Sequence, residues 1–243
     1  MTRSRVRTLL RVSLTTGAVG ALALGAATAA TAATGPTAAA SFSADADGGN
    51  WAGYVAESST YTSVSASWVQ PTVSCGGNSG SSVDFWVGLD GYSDETLEQI
   101  GTEVDCASGA AEYSAWYELY PAFPVYLSQK LSPGDSVTAT VSATTADLFT
   151  LTLTDATAGW SASSKHTVSG AARSSAEIML EVPSAGEVPT GGGSVTFTHA
   201  LVNGANLAAA KPIAIDSADA SCGPVVSPSS FTCTWNGISP ALG

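Results

Sequence analysis

The chain has 243 residues, of which 44% are hydrophobic, and it carries a formal net charge of −12. This length is enough for one sizeable core, and the abundance of Thr and Val excludes a disordered chain. The acidic charge argues against nucleic acids and anionic membranes as partners, since both bind basic surfaces.

The N-terminus has the pattern of a secretory signal peptide. Four arginines lie between Arg3 and Arg11, an apolar run fills 12–27, and small residues follow at Ala30-Thr31-Ala32. We therefore predict a signal peptide over 1–32, a short pro-segment or flexible lead over 33–47, and a single domain over 48–243. Cleavage would leave four basic against twenty acidic residues, a formal charge of −16. We expect an extracellular product, monomeric and free of the membrane.

The four cysteines of an exported chain predict two disulfides. Three pairings are possible, and we favour Cys75–Cys106 with Cys222–Cys233 because each pair flanks a plausible turn region. Metal binding is the weaker interpretation, since the sequence has no Cys-x-x-Cys. No cofactor is expected.

Short alternating segments follow one another along the rest of the chain, and amphipathic helical patterns are nearly absent. Gly, Pro and Asp-rich turns separate them, as at Ser132-Pro133-Gly134-Asp135. This organisation predicts an all-β fold, an antiparallel sandwich or barrel. The predicted segments begin near residues 50, 61, 83, 97, 113, 137, 149, 176 and 195, with further short strands over 213–235.

Several of these strands carry acids and indole rings on the face away from the core. In the strand from Val83 to Asp90, Phe85 and Val87 share the core face, whereas Asp84, Trp86 and Asp90 share the other. The remaining strands place Gln99, Glu103, Ser114, Trp116, Glu118, Tyr120, Glu177 and Glu181 on such faces. Elsewhere, as over 149–154, the outer face is threonine. The pattern favours a lined groove, and the alternative is a second sheet covering the tryptophans.

Serine-nucleophile and two-aspartate chemistry lack their motifs, since Gly-x-Ser-x-Gly, Asp-Thr-Gly and Asp-Ser-Gly are all absent. His166 is predicted in a polar turn and His199 at a strand end, so we interpret both as structural or surface residues. What remains is a carboxylate acting as general base beside a side-chain amide that stabilises an oxyanion. Gln99 is the only glutamine on the polar face.

The motifs, in their order, resemble those of the glutamic peptidases, or eqolisins. They are Asn50-Trp51-Ala52-Gly53, Trp86-Val87-Gly88-Leu89-Asp90-Gly91, Gln99-Ile100-Gly101-Thr102-Glu103, Ala115-Trp116-Tyr117-Glu118-Leu119-Tyr120-Pro121 and Ala176-Glu177-Ile178-Met179-Leu180-Glu181. The resemblance implies a concanavalin-A-like sandwich of two antiparallel sheets. It also implies a catalytic pair of Gln99 and Glu181, with Glu177 as the alternative acid. Residues implied to line or brace the cleft are Trp51, Trp86, Asp90, Glu103, Trp116, Glu118, Tyr120 and Glu177.

The activity implied is endopeptidase cleavage of polypeptides in acid, without a covalent intermediate. Paired carboxylates beside tryptophans also suit a glycoside hydrolase or a carbohydrate-binding sandwich. The compact Glu-x-Asp-x-x-Glu run of sandwich glycosidases is absent, and that interpretation gives Gln99 and Glu181 no role. The chain departs from the fungal pattern at Glu103, Ser114 and Ile178, which affects substrate preference and pH range more than the reaction itself.

Overall fold

The computed structural model describes residues 49–76, 80–145, 147–183 and 188–237. The predicted signal peptide and pro-segment lie outside the described residues. Among the described residues, no helix is both long and apolar enough to span a bilayer.

The described chain folds into β-strands and one 3₁₀ helix, Leu207–Ala210. The strands are β1 (Trp51–Glu57), β2 (Ser63–Val69), β3 (Ser82–Leu89), β4 (Leu97–Asp105), β5 (Glu112–Tyr120), β6 (Val125–Tyr126), β7 (Ser136–Ala143), β8 (Leu148–Asp155), β9 (Trp160–Thr167), β10 (Ser175–Glu181), β11 (Gly193–Val202), β12 (Ala205–Asn206), β13 (Ile213–Ile215), β14 (Ala220–Cys222) and β15 (Phe231–Trp235).

The strands form two antiparallel sheets. The seven-stranded sheet has the order β13-β1-β10-β3-β4-β5-β6, and the eight-stranded sheet has the order β14-β15-β11-β2-β7-β8-β9, with β12 paired to β11. Strand β10 therefore lies between β1 and β3, although β2 to β9 separate it from β1 along the chain. The predicted all-β sandwich is confirmed.

The main core lies between the two sheets and is built from alternate residues of their strands. Phe85 and Val87 from the seven-stranded sheet pack in one buried cluster with Phe149 and Leu151 from the other. Alternation of β-branched and aromatic residues with polar ones favours strands because only one face is then buried. The core face predicted for β3 is confirmed.

The outer face of the eight-stranded sheet carries hydroxyl side chains, as predicted for 149–154. These hydroxyl groups pair between neighbouring strands. The hydroxyl oxygens of Thr152 and Ser163 are 3.0 Å apart, and those of Thr154 and Ser161 are 2.9 Å apart. Such cross-strand pairs are the usual surface of a solvated sheet.

The outer face of the seven-stranded sheet is different, because it holds a second buried cluster. Its members are Trp51, Val55, Trp86, Tyr92, Leu97, Trp116, Met179 and Ile215, with Tyr120 packed beside them. The eight-stranded sheet packs on the opposite face of the strands that carry them. The alternative in which a second sheet covers the tryptophans is therefore wrong.

Both predicted disulfides are present, Cys75–Cys106 and Cys222–Cys233. The first joins the residues that precede β3 and follow β4, and the second links the neighbouring strands β14 and β15.

The histidines are not where the sequence placed them. His166 lies within β9, not in a turn, and its ring centroid is 5.1 Å from that of Tyr117. His199 lies inside β11 with a φ of 50°, where the pairing with β2 shifts register, and not at the strand end. Polar alternation alone did not distinguish these strands from turns.

Candidate active site

The pairing of five strands sets the polar side chains of the outer face of the seven-stranded sheet in cross-strand rows. Directly opposed residues in an antiparallel sheet have Cβ atoms about 4.5–5.5 Å apart, so each row is a line of neighbours. In the order β1, β10, β3, β4, β5, the first row is Trp51, Glu181, Asp84, Glu103, Ser114; the second is Gly53, Met179, Trp86, Gly101, Trp116; the third is Val55, Glu177, Gly88, Gln99, Glu118.

Glu181 accepts hydrogen bonds from two donors, one in the second row and one in the residue that precedes β1. Trp86 donates its indole N–H to Oε2 at 2.9 Å, and Asn50 donates its side-chain N–H to Oε1 at 2.7 Å. Both donors favour the ionised carboxylate. Glu181 is partly exposed, whereas the preceding residues of β10 are buried.

Gln99 is held by Glu118, its opposite residue on β5. The Gln99 Nε2 atom donates to Glu118 Oε2 at 2.6 Å. An ionised carboxylate only accepts hydrogen bonds, so this contact fixes which end of the amide faces Glu118. The other end, Gln99 Oε1, is buried and accepts no hydrogen bond from the described residues. One N–H of Nε2 remains for another acceptor.

Glycines in the second and third rows allow close packing around Trp86. A Cβ at Gly101 would lie 2.5 Å from the Trp86 Cβ and would collide with the carbonyl oxygen of Phe85. A Cβ at Gly88 would lie 3.0 Å from the Trp86 ring and 3.3 Å from the Gln99 Cβ. The Gly residues of both motifs are thus required by close packing around one tryptophan.

Aromatic side chains lie beside the polar residues of the outer face. The Trp51 ring meets the Trp86 ring edge to face at a centroid distance of 5.0 Å. At the other side of the sheet, Tyr126 donates its hydroxyl to Glu103 Oε2 at 2.8 Å. Trp116 and Tyr120 belong to the same cluster.

A second acidic group lies at the end of the sheet and is buried. Burial raises the pKa of Glu98 to about 8 and, chiefly for the same reason, that of Asp90 to about 6. Burial also holds the pKa of Glu177 well above its ordinary value, and the charges of Asp90, Asp94 and Glu98 add to the effect. These groups are neutral acids over most of the acid range.

Asp90 departs from the alternation predicted for its strand. Strand β3 ends at Leu89, and Asp90 adopts a φ of 69°, so it no longer continues the face of Asp84 and Trp86. Its Oδ1 accepts the backbone N–H of Ser174 at 2.7 Å. Asp90 therefore braces the end of β10.

The structure thus separates the predicted site residues into three groups. Glu181 lies with Trp51 and Trp86; Gln99 lies with Glu118; Glu103 lies with Tyr126. Gln99 and Glu181 are on the same face, two strands apart and two rows apart. Asp90 and Glu177 belong to the buried acids at the sheet end.

Sequence reasoning missed Asn50, Glu98 and Tyr126, and it placed Asp84 on the polar face without giving it a role. Asn50 lies beside Trp51 in the first of the five motifs, and this position was the available indication that it belongs to the site. Nothing in local sequence connects Tyr126 to Glu103, because their contact depends on the pairing of β5 with β6. Within the described ranges, no group of His, Cys, Asp and Glu is arranged to hold a metal ion.

Comparison with known proteins gives one consistent result. The model of the Peptidase A4 family matches residues 49–235. The chain is 34% identical over 180 residues to aspergillopepsin-2 of Aspergillus niger, covering 62% of this chain and 63% of that protein. It is 33% identical over 137 residues to scytalidopepsin B of Scytalidium lignicola, covering 54% of this chain and 51% of that protein. The matches span about half to two thirds of these relatives.

Solved structures agree on the fold. A scytalido-glutamic peptidase with a transition state analog inhibitor superposes with a TM-score of 0.66 at 23% identity, covering 77% of this chain and 98% of the other. A complex of the same peptidase with a peptide-based analog gives a TM-score of 0.64 at 25% identity and the same coverage. Since the family model spans most of the described chain, the resemblance drawn from the sequence motifs is confirmed, and the chain belongs to the Peptidase A4 family, that of the glutamic peptidases.

Proposed function

We propose that this chain is a secreted endopeptidase that hydrolyses peptide bonds in acid, with Glu181 as general base and acid and Gln99 as oxyanion stabiliser. The observation that carries the proposal is the separate anchoring of the two groups on one face. Glu181 is fixed by Trp86 and Asn50, and Gln99 is fixed by Glu118. The names of the relatives, aspergillopepsin-2 and scytalidopepsin B, support the same activity.

The first step requires an ionised Glu181. Its carboxylate takes a proton from a water molecule, and the water oxygen attacks the carbonyl carbon of the substrate. The two donors, Trp86 and Asn50, keep the charge on Glu181 in acid and hold its orientation. Only a partly exposed carboxylate reaches such a water, and Glu181 is partly exposed.

The second step places negative charge on the former carbonyl oxygen. Gln99 Nε2 has one N–H committed to Glu118 and a second that is available for this oxyanion. The protonated Glu181 then gives its proton to the leaving nitrogen, and the bond between carbon and nitrogen breaks. Because Gln99 does not titrate, its donor is present at every pH.

Glu177 suits this role less well, although it lies in the same row as Gln99 with Gly88 between them. Its side chain is fully buried, and burial favours its neutral form. A base must be charged and must reach the solvent-filled cleft. We assign Glu177 to the buried support of the sheet.

The test is the pH-dependent cleavage of casein by purified protein with pepstatin present. Glu181→Gln keeps the size of the side chain and removes its basicity, so cleavage should fall to background at every pH. Folding should be retained, as judged by far-UV circular dichroism and the thermal midpoint at acid pH.

Two matched variants complete the test. Glu112→Gln removes the same charge from a partly exposed position on β5 and should leave cleavage unchanged. Glu177→Gln should retain measurable cleavage, because the neutral acid it replaces is already uncharged. A folded Glu181→Gln protein that cleaves casein at the wild-type rate would refute the proposal.

A further inference from the structure

Three carboxylic acids occupy consecutive places in the first cross-strand row. Asp84 on β3 is directly opposite Glu181 on one side and Glu103 on the other. All three side chains point to the outer face, because they share the parity of Trp86 and Gln99 in their strands. Asp84 is 4% exposed and Glu103 is 3% exposed.

The two outer acids are tied to donors that differ from one another. Glu181 accepts hydrogen bonds from Trp86 and Asn50, and Glu103 accepts one from the hydroxyl of Tyr126. The central place, Asp84, is therefore fixed between two anchored carboxylates. Because Asp84 and Glu181 are directly opposed in the sheet, their Cβ atoms are about 4.5–5.5 Å apart.

The residue types of the seven-stranded sheet are known for all of its described strands. The described strands of the seven-stranded sheet contain no Lys, Arg or His. The titratable groups around the pair come from β10, β3, β4, β5 and β6 and are, besides Asp84 and Glu181 themselves, Glu103, Asp105, Glu112, Tyr126, Glu118 and Glu177. The neighbours on the other side of Glu181 are uncharged: Trp51 on β1 and Asn50, which directly precedes that strand.

Neighbouring carboxylic acids titrate as a pair, because ionisation of one opposes ionisation of the other. An ionised neighbouring acid raises the pH at which a carboxyl group gives up its proton, relative to an uncharged neighbour of the same shape. We infer that Asp84 is a positioning residue that raises the pH range over which Glu181 exchanges its proton, and so sets the acid limit of peptidase activity.

This inference rests on the proposed role of Glu181. A base that is too weak cannot take the proton of water, and an acid that is too weak cannot return it to the leaving nitrogen. Asp84 adjusts the proton affinity of Glu181 so that Glu181 can do both tasks. It does so without contacting the substrate. The pH profile measures that balance directly, whereas a purely structural residue would change amplitude and leave the profile in place.

The decisive variant is Asp84→Asn, assayed for kcat/KM on a fluorogenic peptide across the acid range. The acid limb of the profile should move to lower pH by about one unit, because an uncharged neighbour no longer opposes ionisation of Glu181. Asp84→Glu keeps a titrating neighbour and should retain the wild-type limb. Asp105→Asn removes an acid from the adjacent row of the same face and should leave the limb in place. If the acid limbs of the two pH profiles, for wild type and for Asp84→Asn, coincide, the inference is overturned.

A measurement on the unmodified protein covers the case in which Asp84→Asn does not fold. With glutamate labelled by ¹³C at Cδ, the Glu181 carboxyl resonance should titrate in two steps, as coupled groups do. A single step would overturn the inference. If Glu181→Gln abolishes cleavage while the resonance shows one step, only the role of Asp84 fails. If Glu181→Gln remains active, the proposed function fails first.

Discussion

At the scale of single residues, the hydrogen bond from Gln99 to Glu118 is the contact that orients the proposed oxyanion donor. Glu118→Ala removes the acceptor and frees the amide to rotate, so kcat should fall by up to about 100-fold with KM little changed. Glu118→Gln still offers an accepting oxygen at the same place and should retain more of the rate. Equal losses in the two variants would show that orientation of the amide is not the cause.

Removal of the donor itself should cost more. Gln99→Ala should lower kcat/KM by an amount equivalent to about 2.7–4 kcal/mol in the barrier, the range for loss of one oxyanion donor. Single-turnover cleavage of the peptide checks this, because it separates chemistry from product release. A loss of only a few-fold would mean that Gln99 positions its neighbours and does not stabilise the transition state.

At the scale of strands, the close approach of β3 and β4 depends on Gly101. Gly101→Ala would force a methyl group against the Trp86 Cβ and should destabilise the fold by about 1–3 kcal/mol. Gly223→Ala is the matched control, because its Cβ would meet only the Thr232 carbonyl oxygen, at 3.7 Å. Urea unfolding at acid pH compares the two, and equal midpoints would contradict the packing argument.

Strand periodicity correctly predicted the two faces of β3, but it failed at the end of the strand. The two faces of β3 follow from its alternation because both faces are occupied by residues of clear chemistry. Asp90 escaped this reasoning because a positive φ ends the alternation, and a dihedral angle of a non-glycine residue leaves no mark in the sequence. Glu98 lies on the core-side parity of β4, where an apolar residue is expected, and only the fold reveals the acids around it.

In the candidate site, too, some residues are indicated by the sequence and others are shown only by the fold. The motif resemblance gave Gln99 and Glu181 as the candidate pair, which stays a prediction. The row that places Asp84 beside Glu181 needs the register of β3 against β10. Register between strands far apart in the chain is set by the packed core of both sheets, so no local pattern contains it.

At the scale of the whole molecule, the buried acids make stability depend on pH in a defined direction. The pKa of Glu98 is about 8 and that of Asp90 about 6 in the folded state, whereas unfolded carboxyl groups titrate near pH 4. The folded state therefore binds more protons above pH 4. Stability should be full below about pH 4 and should fall toward pH 8, by up to about 1.4 kcal/mol per pH unit for each proton.

The measurement is the thermal midpoint at pH 4 and at pH 7. Glu98→Gln removes one ionisable group and should narrow the difference between the two midpoints. Glu57→Gln, at the exposed end of β1, should leave the difference unchanged. A wild-type midpoint that rises from pH 4 to pH 7 would contradict the burial of these acids.

The order of strands in the seven-stranded sheet also determines when the two groups of the proposed pair come together during synthesis. Gln99 lies on β4, in the first half of the chain, but Glu181 lies on β10, which inserts between β1 and β3 only after the intervening strands have been synthesised. A nascent chain that stops short of β10 holds Gln99 without Glu181, and it lacks the strand that lies between β1 and β3. If Gln99 and Glu181 form the catalytic pair proposed above, a product truncated before β10 lacks one of its two groups and has no peptidase activity.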